Sequence, residues 1–460
     1  MFVGREQELS ELEKLYNREG LKSIAIYGRR RVGKTSLLTE FCKEKKNIFF
    51  TGNEVSEKIN LQNYSASLQL TFPDTFFGEL DSFKDALDIT VKICEEERVV
   101  LVIDEFPFLV NAAPYFPSLF QKYMDHDFSE LDLTVILCGS SIRMMHDLLN
   151  GKQMPLFGRF SRQIKLNPLN YIRSCEFFPK VDSIECATYF AISGGVPLYL
   201  KWLSQYNTFK ESVIENFLLP SSGLLEESTN LIRQEFPNPS IPRSIISALA
   251  NGKTQIKDIS EATGIEKGTC SNSISQLMSV GIIRREVPMS NSRRKAVYEL
   301  NDGLFRFRYG VLERVLPYIQ TYDPESAYEK VEEMLPGFMG KQFEEICKQY
   351  VMTNTEYRTV GKWWGSDPEM KTDTEIDIVA IDGIDTTSNV LFGSCKFKSS
   401  PMSMKDLDDL KRTASFVKGY AKRNYILFSS SGFEDNLTEC AKKEDVALMS
   451  IDELYKGRKQ

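Results

Sequence analysis

The stretch Ser23–Cys42, SIAIYGRRRVGKTSLLTEFC, limits the fold more than any other part of the chain. A short apolar run of strand type leads into Gly28-Arg29-Arg30-Arg31-Val32-Gly33-Lys34-Thr35, and Leu37, Leu38 and Phe41 then repeat at helical spacing. This is G-x-x-x-x-G-K-[ST] in the strand, loop and helix context that the pattern requires. Glycines let backbone N–H groups close around phosphates at a helix N-terminus, where the helix dipole favours negative charge. Lys34 can reach the β- and γ-phosphates, the Thr35 hydroxyl can hold Mg²⁺, and Ser36 continues the helix start. ATP with Mg²⁺ is the expected ligand pair, and the chain should fold as α/β layers around a parallel sheet.

A partner motif supports this. RVVLVIDEFPFLV is a continuous β-branched run, as in a strand buried on both faces, and it ends in Asp104-Glu105. Asp104 is expected to orient Mg²⁺ through water, and Glu105 to polarise the water that attacks the γ-phosphate. A second buried run, LTVILCGSS, ends at Ser140 and Ser141, where a hydroxyl could sense the γ-phosphate.

With these residues in place, residues 1–235 resemble the archaeal-type P-loop ATPases of the AAA+/STAND group. The resemblance assigns Phe2-Val3-Gly4-Arg5-Glu6 with Leu9 to an opening box near the adenine, with Val3 and Arg5 as its contacts. It assigns Gly194-Gly195-Val196-Pro197 to a helical lid, with Pro197 near the nucleotide. Arg159, in PLFGRF, becomes a candidate arginine finger or sensor, with a structural salt bridge as the equal alternative.

The 460 residues allow several domains, and their charge is uneven. The chain carries a formal −7, yet residues 241–300 hold nine Lys and Arg against five Asp and Glu. Three short helix patterns, RSIISALANG, IKDISEATG and KGTCSNSISQLMSVG, precede a hairpin pattern with a polar tip, the order of a winged helix-turn-helix. The third helix is the expected recognition helix, with Ile274, Leu277 and Met278 inward and Lys267 outward. Arg284, Arg285, Arg293, Arg294 and Lys295 supply cations for DNA phosphates, which position a protein without reading sequence. The alternative is an interdomain adaptor whose charges form a solvated face.

From Gly337 to about Ile451 the order of helices and strands resembles the PD-(D/E)XK nuclease fold, an α/β restriction-endonuclease-like domain. Strand alternation puts Asp377, Ser394 and Lys396 on converging faces. In that fold the position of Ser394 normally carries an acid that helps the aspartate bind Mg²⁺, the lysine polarises water or phosphate, and Glu344 lends a further carboxylate. Ser394 carries no charge, which weakens a divalent site. On the following helix Asp406 is the one candidate substitute, although three residues after Ser403 it reads more readily as a helix cap.

The expected domains are a P-loop core at 1–170, a helical lid at 171–235, a winged helix at 240–305, linker helices at 306–335 and the nuclease-like domain at 336–460. Nine cysteines without a CxxC pair read as reduced core residues, and no apolar run or leader marks a membrane route, so a cytoplasmic location is expected. The reading is an ATPase coupled to a DNA-binding winged helix and an impaired nuclease-like domain, with a homo-oligomer or protein partner left open. Its rivals are an ATP-dependent switch acting on a protein without DNA, and an ATP-gated, metal-dependent DNA nuclease.

Overall fold

The computed structural model describes residues 2–73, 80–289, 295–368, 370–383 and 388–456. Two compact units divide the chain, Met1–Pro168 and Leu169–Gln460.

The first unit is built on β1 (Lys22–Tyr27), β2 (Asn47–Thr51), β3 (Val99–Asp104), β4 (Leu133–Gly139) and β5 (Arg162–Lys165). They form one parallel sheet in the order β2-β3-β4-β1-β5. Alternate residues of β3 serve opposite faces, which is why the run has no polar positions: Leu101 and Ile103 join one core, Val100 and Val102 the other. The first of these cores is rich in rings, with Phe83, Phe116, Phe106 and Phe120 in a chain of edge and stacked contacts.

The second unit begins with a helical layer in which Gly194 and Gly195 both have positive φ, 62° and 72°. A Cβ on Gly195 would lie 2.1 Å from the Leu169 carbonyl oxygen, and one on Gly194 would lie 2.9 Å from the Gly303 nitrogen. The Gly-Gly pair is thus a packing corner that lets the helix Gly303–Phe307 approach the helix Ser183–Ser193. Pro197 opens the helix Pro197–Leu203, where its missing N–H goes unmissed.

The winged helix consists of helices Ser240–Ala250, Ile256–Thr263 and Lys267–Ser279 with the antiparallel pair β6 (Ile283–Glu286) and β7 (Val297–Leu300). Its first helix starts three residues before the expected Arg243, because Pro242 lies in the first turn, where no intrahelical donor is needed. In the third helix Cys270, Ile274 and Leu277 face inward and Met278 is 36% exposed, so Cys270 takes the place expected for Met278. At 100° per residue Met278 falls at the edge of the stripe centred on those three.

A five-stranded sheet closes the chain, with β8 (Thr359–Ser366), β9 (Asp373–Ile381), β10 (Val390–Lys396), β11 (Arg423–Ser429) and β12 (Val446–Ser450) in the order β12-β11-β10-β9-β8. The pairs β8–β9 and β9–β10 are antiparallel, and β10–β11 and β11–β12 are parallel. The helix Pro324–Asn354 runs unbroken for 31 residues through Pro336, so the expected boundary at 335/336 lies inside one element. An interior proline forfeits one backbone hydrogen bond, and the burial of Met339, Phe343, Ile346 and Cys347 on the same helix offsets that cost. A further departure is a disulfide: Cys175 and Cys186 sit on neighbouring antiparallel helices with Cα atoms 5.3 Å apart and are bonded, while the other seven cysteines are free. Among the described residues no helix is long and apolar enough to cross a membrane.

Candidate functional site

Gly28 ends the turn out of β1 so close to the Leu166 carbonyl that a Cβ would meet its oxygen at 2.3 Å. The loop then passes through positive φ at Arg31 (71°) and Gly33 (89°) and enters the helix Lys34–Cys42. Lys34 is buried and its Nζ donates to the Gly28 and Arg29 carbonyl oxygens at 2.9 and 3.1 Å. The ammonium therefore already stands inside the curl of the loop, held by carbonyls alone. Val32 is fully buried and pins the loop to the core beneath, while Ser36 is exposed. The Arg30 guanidinium lies 5.9 Å from the ring centroid of Phe108, and Arg29 and Arg31 flank it on the same loop.

Arg5 does something that its place in the opening box did not announce. Its backbone is left-handed (φ 74°), its side chain is buried, and it donates to the Val32 carbonyl at 3.0 Å, the Asn167 carbonyl at 2.6 Å and the Glu8 carboxylate at 3.0 Å. Burial lowers its pKa against the opposing pull of Glu8. One guanidinium thus ties the N-terminal box to the phosphate loop and to the chain beyond β5. Phe2 and Leu9, either side of half-buried Val3, pack on the same core.

The metal-side residues meet directly. Thr35 Oγ1 donates to Asp104 Oδ2 at 2.6 Å, and the Glu105 N–H donates to the other carboxylate oxygen at 2.9 Å. Glu105 is left-handed (φ 48°), a conformation that costs a non-glycine residue on the order of 1 kcal/mol and is held only where surrounding structure fixes it. Its Oε2 accepts from the Ser140 N–H at 3.1 Å and the Ser140 hydroxyl at 2.8 Å. Lys34, Thr35, Asp104, Glu105 and Ser140 therefore form one connected site at the C-terminal ends of β1, β3 and β4, the edge where open α/β sheets bind ligands.

Arg159 is engaged elsewhere. It makes a bidentate pair with Asp125, both bonds 2.8 Å, and donates to the Pro155 and Phe157 carbonyls at 2.8 and 3.1 Å. Of its two expected roles, this geometry is the structural salt bridge. Pro197 belongs to the second compact unit.

In the winged helix, the expected cations divide. Lys267 is exposed at the start of the third helix, beside the N-cap Glu266, whose pKa is lowered by N–H donors of Gly268 and Thr269. Arg285 and Lys295 are exposed. Arg284 is not available: it turns inward to Glu345 at 2.5 Å, Glu286 at 2.8 Å and Glu299 at 3.3 Å, since adjacent residues of a strand face opposite ways. Arg293 and Arg294 lie outside the described residues. The strand leading to the wing tip is itself attached to the last sheet, with the Met289 N–H on the Lys362 carbonyl at 2.7 Å.

The C-terminal carboxylates each have partners among the described residues. Asp377 Oδ2 accepts from the Cys395 N–H at 2.7 Å and the Ser394 hydroxyl at 3.3 Å. Glu344 pairs with Lys362, a residue that sequence reasoning did not select because it lies in the aromatic run GKWWGS. Burial raises the Glu344 pKa to about 7 against the pull of Lys362, with Asp377 and Glu375 adding to the rise. Lys396 is half-buried on β10. Asp406 closes a capping box, accepting from the Ser403 N–H at 2.8 Å, with Lys398 at 3.5 Å. Among the described residues no three His, Cys, Asp or Glu side chains form a metal-binding group.

The architecture is a parallel-sheet α/β P-loop ATPase fold, a winged helix-turn-helix and a separate C-terminal α/β sheet. Residues 2–203 match an ATPase domain found predominantly in Archaea, 243–285 the arsR family of bacterial regulatory proteins, and 308–409 a family of archaeal and bacterial proteins of unknown function. An uncharacterised protein of Methanocaldococcus jannaschii is 26% identical over 436 residues, 91% of this chain and 92% of that one. An uncharacterised ATP-binding protein of the same organism is 50% identical over 46 residues, 10% of this chain and 78% of its own. Among solved structures, the Walker-type ATPase of Pyrococcus abyssi shares the fold with a TM-score of 0.53 at 18% identity, over 67% of this chain and 96% of that one.

Proposed function

We propose that the protein hydrolyses ATP at the site joining Lys34, Thr35, Asp104, Glu105 and Ser140, and that nucleotide state governs a DNA-binding winged helix. The observation that carries this reading is the 2.6 Å bond between Thr35 and Asp104, made from a helix N-terminus to a strand end beside a lysine enclosed by its loop. Those two oxygens fit a hard divalent cation, and the loop fits phosphates because its backbone curls around the Lys34 ammonium at the N-terminus of the helix Lys34–Cys42. Thr35 and Asp104 would hold Mg²⁺, which supplies charge neutralisation on the phosphate oxygens.

The chain's own groups account for the rest. Lys34 exchanges its two carbonyl partners for β- and γ-phosphate oxygens. Glu105 takes the proton of the attacking water, and Ser140 holds its carboxylate until the nucleotide is in place. Arg5 fixes the loop and Arg159 holds Asp125, so both act on structure. Domain limits follow the two compact units: ATPase core to about residue 168, then lid helices, winged helix and C-terminal sheet.

DNA contact rests on the exposed face of Lys267–Ser279 together with Arg285 and Lys295, and it is narrower than a full wing because Arg284 is inward. The resemblance to a nuclease fold is kept as one of architecture, with Asp377 bonded to Cys395 and Ser394 in place of a metal. The test is equilibrium binding of ATP with Mg²⁺ to the wild type and to Lys34→Ala. Loss of binding in the variant is expected; wild-type affinity there would end the assignment.

A further inference from the structure

Within the second unit, a cleft of about 460 Å³ opens between the winged helix, the helix that follows it, the helix Pro324–Asn354 and β8. That volume is in the range of small-molecule sites. Five cations line it, Arg284, Arg306, Arg314, Lys341 and Lys362, against two carboxylates, Glu299 and Glu333. Both carboxylates are paired already, Glu299 with Arg284 at 3.3 Å and Glu333 with Lys330 at 2.9 Å. Arg284 is shared by Glu345, Glu286 and Glu299, and Lys362 is paired with Glu344, so the excess of positive charge rests on Arg306, Arg314 and Lys341.

Three features show that this excess is local. Glu299 has its pKa lowered, against its burial, by Lys362, Arg284, Lys341 and Arg306 together. Arg306 donates Nε to the Leu300 carbonyl at 2.6 Å and one terminal nitrogen to the neutral Gln342, so no carboxylate hydrogen-bonds its guanidinium among the described residues. Burial, with Arg284 nearby, lowers its pKa to about 10 against the opposing pull of Glu345, Glu299 and Glu344. Lys341 and Arg314 are exposed, and neither has an ion pair among the described residues. The rest of the lining is of another kind: Tyr298, Phe338, Leu249, Val311 and Met334 give an apolar wall, and Gly252, Gly310 and Gly337 leave room beside it.

We propose that this cleft binds a phosphate-bearing small molecule of nucleotide class, with its phosphates on Arg306, Lys341 and Arg314 and its base against Tyr298 and Phe338. Guanidinium and ammonium groups meeting at one wall match a multiply charged phosphate, and a ring-bearing apolar wall matches a base. The site is separate from the phosphate loop, which lies wholly in the first unit. A ligand here would touch the winged helix and β8 at once, so its binding would bear on how the reader domain is held.

The test uses the full chain with Lys34→Ala, to remove binding at the phosphate loop, and titrates AMP, ATP, inorganic pyrophosphate and a cyclic dinucleotide by calorimetry. At least one should bind with a Kd below about 100 μM, and Lys341→Glu with Arg314→Glu should weaken it tenfold or more. Both positions are exposed, so the variant should fold, which its unchanged ATP binding with Lys34 restored would show. If all four probes fail to bind at millimolar concentration, or if binding is unmoved by the two charge reversals, the proposal is wrong. Binding of pyrophosphate alone, with no gain from a base, would overturn the nucleotide class.

Discussion

Two sites in this chain combine an aspartate, a glutamate and a lysine, and they differ in what those groups are bonded to. At the phosphate loop, Asp104 is bonded to the Thr35 hydroxyl, which we propose shares a cation with it, and Lys34 is held by two carbonyls that a phosphate can replace. At the C-terminal sheet, Asp377 has the same kinds of partner as Asp104, a backbone N–H from Cys395 and the Ser394 hydroxyl, but Glu344 is paired with Lys362. The difference between the two sets lies in the lysine: in the first it is held by carbonyls, in the second it is paired with the glutamate. The type of residue in a motif matters less than what it is bonded to.

The largest effect expected from breaking this contrast is at Glu105. Glu105→Gln should leave ATP affinity near wild type and slow phosphate release by about 10²-fold or more, since the amide cannot take a proton. Equal losses of binding and turnover would instead assign Glu105 a role in holding the loop.

Next comes the winged helix, where two adjacent arginines should behave oppositely. Arg284→Ala should destabilise the second unit by about 3 kcal/mol, because Glu345, Glu286 and Glu299 lose a shared buried partner. Arg285→Ala should leave stability within about 0.5 kcal/mol and lower the slope of DNA affinity against salt by about one phosphate contact. Denaturant melts and a salt series of binding curves separate the two.

A smaller effect is expected in pH dependence. The folded chain holds a proton on Glu344 up to about pH 7, whereas the unfolded chain releases it near 4.5, so stability should fall as pH rises through that window. Glu344→Gln should remove this fall and flatten the profile between about pH 4.5 and pH 7. A parallel pH profile for the two proteins would show that Lys362 holds Glu344 charged throughout.

The smallest concerns the one acid that might have replaced the missing carboxylate. Asp406→Ala should cost about 1 kcal/mol in a denaturant melt, the usual loss of a helix cap, with no change in metal binding.

Much of the first site was legible because its geometry is local or follows from strand ends. The loop and its helix are contiguous, and a fully apolar run ending in Asp104-Glu105 has few places to go except a central strand. Ser140 was legible for the same reason. What the sequence did not show is pairing across distance: Arg5 to Val32 and Asn167, Arg159 to Asp125, Arg284 to Glu345, Lys362 to Glu344. Each is a charged residue whose partner lies 18 or more positions away, and no periodicity encodes such a choice. Asp406 was readable as a cap because its partner, Ser403, is three residues off. The inward turn of Arg284 had a faint signal in strand alternation with exposed Arg285, although alternation alone does not say which of the two faces in.

The contrast between the two sites is tested most directly in one vessel. Wild-type protein is incubated with ATP, Mg²⁺ and Mn²⁺, and supercoiled, linear and single-stranded DNA, while phosphate release and DNA products are followed together. The account predicts phosphate release that Lys34→Ala abolishes and DNA that stays uncut. Cleavage removed by Asp377→Ala, or no phosphate release at all, would contradict it.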